Sequence, residues 1–121
     1  MRGVTTFQAL LVWQKSMSLV TEVYDATKEF PPEERFGLTS QIRRSAVSLP
    51  SNIAEGHGRN STKEYIQFLN ISMGSMNELE TQLEISKNLT YMDEGTFQKL
   101  HDNCREIERM LSSLIRKLKQ T

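Results

Sequence analysis

Two side chains in this sequence, His101 and Cys104, are of types that could support nucleophilic catalysis. They are three positions apart, so they could meet on the surface of a helix. A thiolate nucleophile requires a base and an exposed, electropositive setting. Cys104 instead falls on an apolar helix face, where a free cysteine usually behaves as a small hydrophobe. We therefore predict a buried, inert thiol and no catalytic residues.

Metal and cofactor sites have no recognisable pattern in the sequence. Cys104 is the single cysteine, and His57 and His101 are far apart, without the Glu-x-x-His spacing of di-iron bundles. No convergent acid–base pair is visible either. We expect no bound metal, no cofactor and no enzymatic activity.

A glycine-rich stretch from Gly56 to Lys63 leads into a helix N-terminus. Free N–H groups and the helix dipole make such a terminus able to bind phosphate. The stretch lacks the full P-loop pattern, and Glu64 is available to occupy the terminus. An ordinary turn is therefore favoured over a contact with a nucleic-acid backbone.

Arg43 and Arg44 are adjacent and lie away from the apolar stripe of their helix. Such a pair usually belongs to a solvated face. The alternative is a phosphate or carboxylate partner, because the planar guanidinium group fits both.

The composition places these residues in one small domain, residues 1–121. Fifteen basic and fifteen acidic side chains give zero formal net charge, which excludes a uniformly basic nucleic-acid-binding chain and an acidic disordered one. No apolar run is long enough for a bilayer, and no secretory signal is visible. We expect a cytoplasmic protein.

Four amphipathic helices must position the candidate residues. We predict one helix over about residues 8–28, a second from about 33 or 35 to 55, a third from 61 to about 89 or 91, and a fourth that begins after Asp93. Their apolar stripes contain Leu10, Trp13, Met17, Val20 and Tyr24; Leu38, Ile42, Ala46, Leu49 and Ile53; Tyr65, Phe68, Leu69, Met76, Leu79 and Leu83; and Phe97, Leu100, Cys104, Ile107, Leu111, Leu114 and Leu118. With no strand-like alternation, the pattern predicts an all-α, antiparallel up-down four-helix bundle.

Pro50 lies inside the stripe of the second helix, which keeps its phase on both sides. A proline inside a helix removes a hydrogen bond at a cost of roughly 3 kcal/mol. The pattern favours one helix kinked at Pro50 over a new short helix that begins there behind Ser48.

Charge is unevenly distributed along the predicted bundle. The start of helix 1, the end of helix 2, the start of helix 3 and the end of helix 4 share one end, which we call the basic pole. Basic residues outnumber acidic ones at this pole. Its acidic residues are Glu55 and Glu64, and its basic residues are Arg2, Lys15, Arg59, Lys63, Arg116, Lys117 and Lys119. Its field suits nucleic acid or an acidic protein. Alternatively, cations near a helix C-terminus only oppose the dipole, which does not account for Arg59 or Lys63.

Extra apolar residues indicate self-association. Leu10, Leu11, Val12 and Trp13 are consecutive and span more than one helix face, and Ile66 and Ile71 lie off the main stripe of helix 3. Exposed apolar surface of this kind usually marks an interface. We predict a homo-oligomer, unless the N-terminal tail or a packed loop covers these residues.

Five segments resemble the four-helix-bundle proteins encoded by intervening sequences in bacterial 23S ribosomal RNA genes. They are residues 11–17 (LVWQKSM), 36–46 (FGLTSQIRRSA), 50–56 (PSNIAEG), 63–69 (KEYIQFL) and 78–83 (ELETQL). The run 43–56 is the most specific. The resemblance covers helices 1 to 3 and extends loosely over helix 4.

This resemblance implies a small bundle that assembles as a ring-like homopentamer and has no catalytic residues. The family is similar to the accessory protein of diversity-generating retroelements, a basic pentamer that binds nucleic acid and a reverse transcriptase, from which this neutral chain departs in charge. We predict a non-enzymatic, self-associating bundle that acts with RNA or an RNA-processing partner. The alternative is a structural or protein-interaction module that does not bind nucleic acid.

Overall fold

The computed structural model describes residues 6–120, which form four α-helices and two short 3-10 turns without any strand. The helices are α1 (Leu11–Ala26), α2 (Leu38–His57), α3 (Thr62–Asn88) and α4 (Glu94–Lys119), and the turns are Phe7–Ala9 and Pro32–Glu34. Short connections force successive helices to run antiparallel. The predicted all-α four-helix bundle is confirmed.

The helices surround one hydrophobic core. α1 packs against α2 and α4, α3 packs against the same two helices, and the α2–α3 contact is the most extensive. The fully buried large side chains are Leu19, Ile42, Leu49, Ile53, Tyr65, Leu69, Met76, Leu79, Leu83, Leu100, Ile107 and Leu111. This order places the start of α1, the end of α2, the start of α3 and the end of α4 at the same end of the bundle.

Side-chain caps fix where α3 and α4 begin. The Ser61 Oγ accepts a hydrogen bond from the Glu64 N–H at 3.1 Å, as the capping-box pattern predicts. The Asp93 Oδ1 accepts a hydrogen bond from the Thr96 N–H at 2.7 Å. Hydrogen bonds from Thr96 lower the pKa of Asp93 because they favour the carboxylate. Both predicted starts are confirmed.

The predicted core face of α1 is wrong by about one position. Val12, Ser16, Leu19 and Val23 are buried, whereas Met17 and Tyr24 from the predicted stripe are exposed. The four consecutive apolar residues 10–13 are compatible with several orientations of the helix. Ser16 was not assigned to the core because serine is polar. Its Oγ donates to the Val12 carbonyl at 2.8 Å, which satisfies the hydroxyl inside the core.

The core face of α4 agrees with the prediction as far as Leu111. Beyond it, Ile115 is buried, while Leu114 and Leu118 are only partly buried. A seven-residue seam drifts around a straight helix of 3.6 residues per turn, so the face moves by one position near the end.

Pro50 lies inside one continuous helix, so the interpretation of a new helix beginning there is wrong. Around it α2 and α3 approach closely: the Ser72 Oγ donates to the Leu49 carbonyl at 3.1 Å, and the Ser48 and Ser75 hydroxyls lie 2.7 Å apart. The small side chains of Ser72 and Ser75 permit this close crossing. Gly74 takes no part, because its Cβ position faces open space.

Candidate nucleic-acid and partner surfaces

The Cys104 thiol lies fully inside the core. Burial, followed by the charges of Glu80, Glu108 and Glu22, raises its pKa to about 12, so the thiolate is disfavoured at neutral pH. The predicted buried thiol is confirmed. His101 stacks on the Phe97 ring at 5.7 Å.

Within residues 6–120 no group of three or more His, Cys, Asp or Glu side chains could hold a metal ion. No helix in the same range is long and apolar enough to cross a membrane.

A carboxyl pair joins α3 and α4. Burial is the main reason that the pKa of Glu80 rises from 4.5 to about 7; a hydrogen bond with Glu108 and the charge of that residue add to the shift, and Arg105 opposes it. At neutral pH Glu80 is therefore partly protonated.

We expect stability to fall as pH rises from about 4.5 through about 7 because of this pair. The folded protein binds the Glu80 proton more tightly than the unfolded chain does, so the stabilisation is present at low pH and is lost as pH passes the folded pKa. Urea denaturation across this range measures the effect. Glu80→Gln is expected to flatten the slope; parallel curves for the two proteins would contradict the assignment.

The glycine-rich stretch forms an ordinary turn. The Gly58 N–H donates to the Ala54 carbonyl at 3.2 Å and closes α2, and the Ser61 hydroxyl occupies the next helix terminus. Gly56 permits the close approach of α2 and α3, since a Cβ there would lie 2.7 Å from the Phe68 Cβ. The favoured interpretation of this stretch is confirmed.

Arg43 is held by the end of α1. Its Nε donates to the Thr27 Oγ1 at 2.9 Å and its Nη2 to the Tyr24 carbonyl at 3.3 Å, while the guanidinium lies 4.5 Å from the centre of the Tyr24 ring. Arg44 beside it is exposed. Both lie in the first turns of α2, at the end of the bundle opposite the basic pole.

The basic pole divides into paired and unpaired cations. Lys15 pairs with Glu106 at 3.0 Å, and Arg59 pairs with Glu55 at 2.9 Å and covers the Phe68 ring. Lys63, Arg116, Lys117 and Lys119 are exposed and form no ion pair with another residue of the described range 6–120. Arg2 lies outside that range. Four cations on adjacent ends of α3 and α4 thus face solvent.

The predicted interface residues divide in a similar way. Val12 belongs to the core, which corrects its assignment to an exposed face, because α1 turns that residue inward. Leu10, Trp13 and Ile66 are partly buried against the core, and Phe7 covers Trp13 edge-on at 5.3 Å. Leu11 (57% exposed) and Ile71 (50%) remain open.

Leu11 borders a surface groove between the start of α1 and the end of α4, which we call the apolar groove. Its volume is about 570 Å³. It is lined by Leu10, Leu11, Val12, Glu106, Arg109, Met110, Ser113, Leu114 and Lys117. Because Lys117 also belongs to the basic pole, the two surfaces are continuous.

Sequence reasoning missed a second surface, which we call the aromatic groove. It has a volume of about 500 Å³ and is lined by Tyr24, Arg35, Phe36, Thr39, Ser40, Arg43, Arg44 and Val47. Phe36 is 89% exposed. An apolar side chain in the polar turn after Pro31 and Pro32 was the available signal, and the wrong phase of α1 had placed Tyr24 in the core.

Comparison with known proteins identifies the family. The model of the 23S rRNA-intervening sequence protein family matches residues 8–113. The chain belongs to this family. The resemblance carried by the five segments is thereby confirmed, whereas the similarity to the retroelement accessory protein stays a prediction.

The fold of the chain is similar to that of a solved structure. It is a protein of unknown function from the S23 ribosomal protein family of Bacteroides thetaiotaomicron VPI-5482, with a TM-score of 0.79 and 27% identity. The match covers 87% of this chain and 98% of that one. No curated protein sequence matches the chain. Neither the family description nor that of the solved protein names a catalytic activity.

Proposed function

We propose that this chain is a non-enzymatic, cytoplasmic helical bundle that self-associates and contacts RNA through its basic pole. The observation that carries the proposal is the collection of Lys63, Arg116, Lys117 and Lys119 at one end without ion-pair partners in the described range. The family name, which refers to 23S rRNA, supports RNA as the polyanion.

The paired acids of the chain strengthen this assignment. Glu55 and Glu106 are engaged by Arg59 and Lys15, so they do not neutralise the lysines and arginine at the ends of α3 and α4. Opposition to the helix dipole explains cations in the last turn of α4 but not Lys63, which lies at the start of α3. A neutral chain can therefore attract phosphates locally.

We expect Lys117→Gln combined with Lys119→Gln to weaken binding of a structured 23S rRNA fragment by roughly tenfold, because two phosphate contacts and their counterion release are lost. Fluorescence anisotropy at fixed salt measures it. Lys28→Gln combined with Lys99→Gln removes the same charge from exposed sites away from the basic pole. Equal losses in the two variants would contradict a contact at the basic pole.

Self-association is supported by the apolar groove. Leu11 presents its side chain there beside Met110 and Leu114, and apolar surface of this kind is typical of an interface between subunits. The groove adjoins Lys117, so copies joined through it would bring their basic poles together. The weak electrostatic fields of several basic poles would then act together on one RNA molecule.

We expect light scattering to give a mass several times 13.9 kDa, with a pentamer favoured by the family resemblance. Leu11→Asp is expected to lower this mass, since a carboxylate in the groove would be desolvated. Leu89→Asp, the same substitution at another exposed leucine at the other end of the bundle, is the control. A wild-type mass of 13.9 kDa would contradict self-association.

The second candidate function is a protein-interaction module without RNA. The apolar groove favours it, because such a surface fits a protein better than a phosphate backbone. A wild-type protein that oligomerises but does not bind RNA at low salt would select this alternative.

A further inference from the structure

We propose that the aromatic groove binds unpaired nucleotides of single-stranded RNA. This inference rests on the proposed function and extends it, because the groove lies at the end of the bundle opposite the basic pole and would form a second, chemically different contact.

Phe36 is the most exposed large apolar side chain of the described residues, at 89%. Its backbone is nevertheless firmly held. The Glu34 carboxylate accepts from the Leu38 N–H at 3.1 Å with one oxygen and from the Tyr91 hydroxyl at 2.9 Å with the other. The Gly37 N–H donates to the Glu34 carbonyl at 3.0 Å.

Gly37 leaves room for the Glu34 carboxylate in this position. A Cβ at Gly37 would lie 2.9 Å from the Glu34 Oε1, the same oxygen that accepts from Leu38. The Tyr91 ring packs against Phe30 at 5.4 Å, which ties the turn to the α3–α4 connection. A fixed backbone thus presents an aromatic ring to solvent, and a ring that is already positioned loses little freedom on binding.

The charge around the ring selects the kind of partner. Arg35, Arg43 and Arg44 line the aromatic groove, and none of its lining residues within 6–120 carries a carboxylate. The Arg35 guanidinium lies 5.3 Å from the centre of the Phe36 ring, and Arg43 covers Tyr24. Three guanidinium groups beside exposed rings complement a ligand that is both flat and anionic.

Nucleotides combine these two properties. Proteins that bind single strands place a positively charged groove along the backbone and stack bases on aromatic side chains. Here a base would stack on the open face of Phe36, and a phosphate would reach Arg44, which is exposed and has no ion pair in the part of the chain that the structure describes. The Thr39 and Ser40 hydroxyls are further polar groups of the groove. A volume of about 500 Å³ lies in the usual range of ligand sites, roughly 300–1,000 Å³.

The test compares fluorescein-labelled oligoadenylate with a matched RNA duplex, by anisotropy at low salt. Phe36→Ala is expected to weaken oligoadenylate binding by about 5-fold to 100-fold, the range typical of one lost stacking contact, and to leave duplex binding unchanged. Phe36→Tyr keeps the ring and should restore affinity. Leu89→Ala truncates another exposed apolar side chain, one outside both grooves and the predicted interface, and is the matched control. Arg44→Gln should weaken the single-strand complex as well.

The outcomes separate this inference from the proposed function. If Phe36→Ala binds oligoadenylate like the wild type while the Lys117/Lys119 variant loses RNA, the groove proposal fails and the basic pole stands. If the wild type binds neither probe, both fail. If light scattering gives a lower mass for Phe36→Ala than for the wild type, the groove is a contact between copies of the chain. If the groove binds an acidic peptide in preference to oligoadenylate, it is a protein-binding site. Either result overturns the nucleotide proposal.

Discussion

Leu111→Ala is expected to lower the free energy of unfolding by about 2–5 kcal/mol, the range typical of a leucine truncated in a packed core. Leu111 is fully buried near the middle of the α4 core face, between Ile107 and Ile115. Neighbouring side chains close such a cavity only in part, so the lost contacts are not replaced.

Urea denaturation at one protein concentration measures this loss, because oligomer formation would make stability depend on concentration. Leu89→Ala is the matched control: the same chemical change at an exposed position should cost well under 1 kcal/mol. A loss below about 1 kcal/mol for Leu111→Ala would place this residue outside the core.

We expect Gly56→Ala to destabilise the protein by about 1–3 kcal/mol, although alanine is the better helix former. The added Cβ would lie 2.7 Å from the Phe68 Cβ and 3.2 Å from the Tyr65 carbonyl oxygen. Neither neighbour can move by a simple rotamer change, so α2 and α3 would have to separate at their most extensive contact.

Gly74→Ala provides the matched control on α3. Its Cβ position has nothing within 4 Å, so the same substitution should stabilise the helix by up to about 1 kcal/mol. Opposite signs for the two glycines in thermal or urea unfolding are the expected result. A stabilising Gly56→Ala would contradict the close approach of α2 and α3.

The sequence predicted the helices well wherever a stripe had one possible phase. In α2, Ile42, Ala46, Leu49 and Ile53 hold one face on both sides of Pro50, and all four are buried. The helix starts marked by Ser61 and Asp93 were also predicted correctly, because a serine or aspartate before a helix makes a local hydrogen bond that does not depend on tertiary contacts.

Prediction failed where tertiary contacts decide the outcome. Residues 10–13 fit several phases, and only packing against α2 and α4 determines that Val12 points inward. The phase error moved Tyr24 into the predicted core and concealed the aromatic groove. Phe36 belongs to no stripe, and the turn that carries it is held by the Glu34–Tyr91 contact, which joins residues 57 positions apart.

The sequence was sufficient to predict the charge distribution of the basic pole, but not the individual contacts of its side chains. Antiparallel topology places the ends of α2 and α4 beside the start of α3, so the basic pole follows from helix order. Which cations remain unpaired depends on side-chain geometry. Lys15 forms an ion pair with Glu106 across the α1–α4 contact, whereas Lys117 and Lys119 form no ion pair with an acidic residue within 6–120. Arg43 turned inward because Thr27 and the Tyr24 carbonyl lie within reach.

The salt dependence of binding to a structured 23S rRNA fragment tests most directly whether the basic pole contacts RNA. Each neutralised phosphate releases counterions, so log affinity should fall linearly with log salt concentration, with a slope of about −3 to −4 for four contacts per protomer. Lys117→Gln combined with Lys119→Gln should make this slope shallower by about 2, and the Lys28/Lys99 control should not change it. Binding that is absent at the lowest salt, or a slope that is the same in all three proteins, would contradict the account.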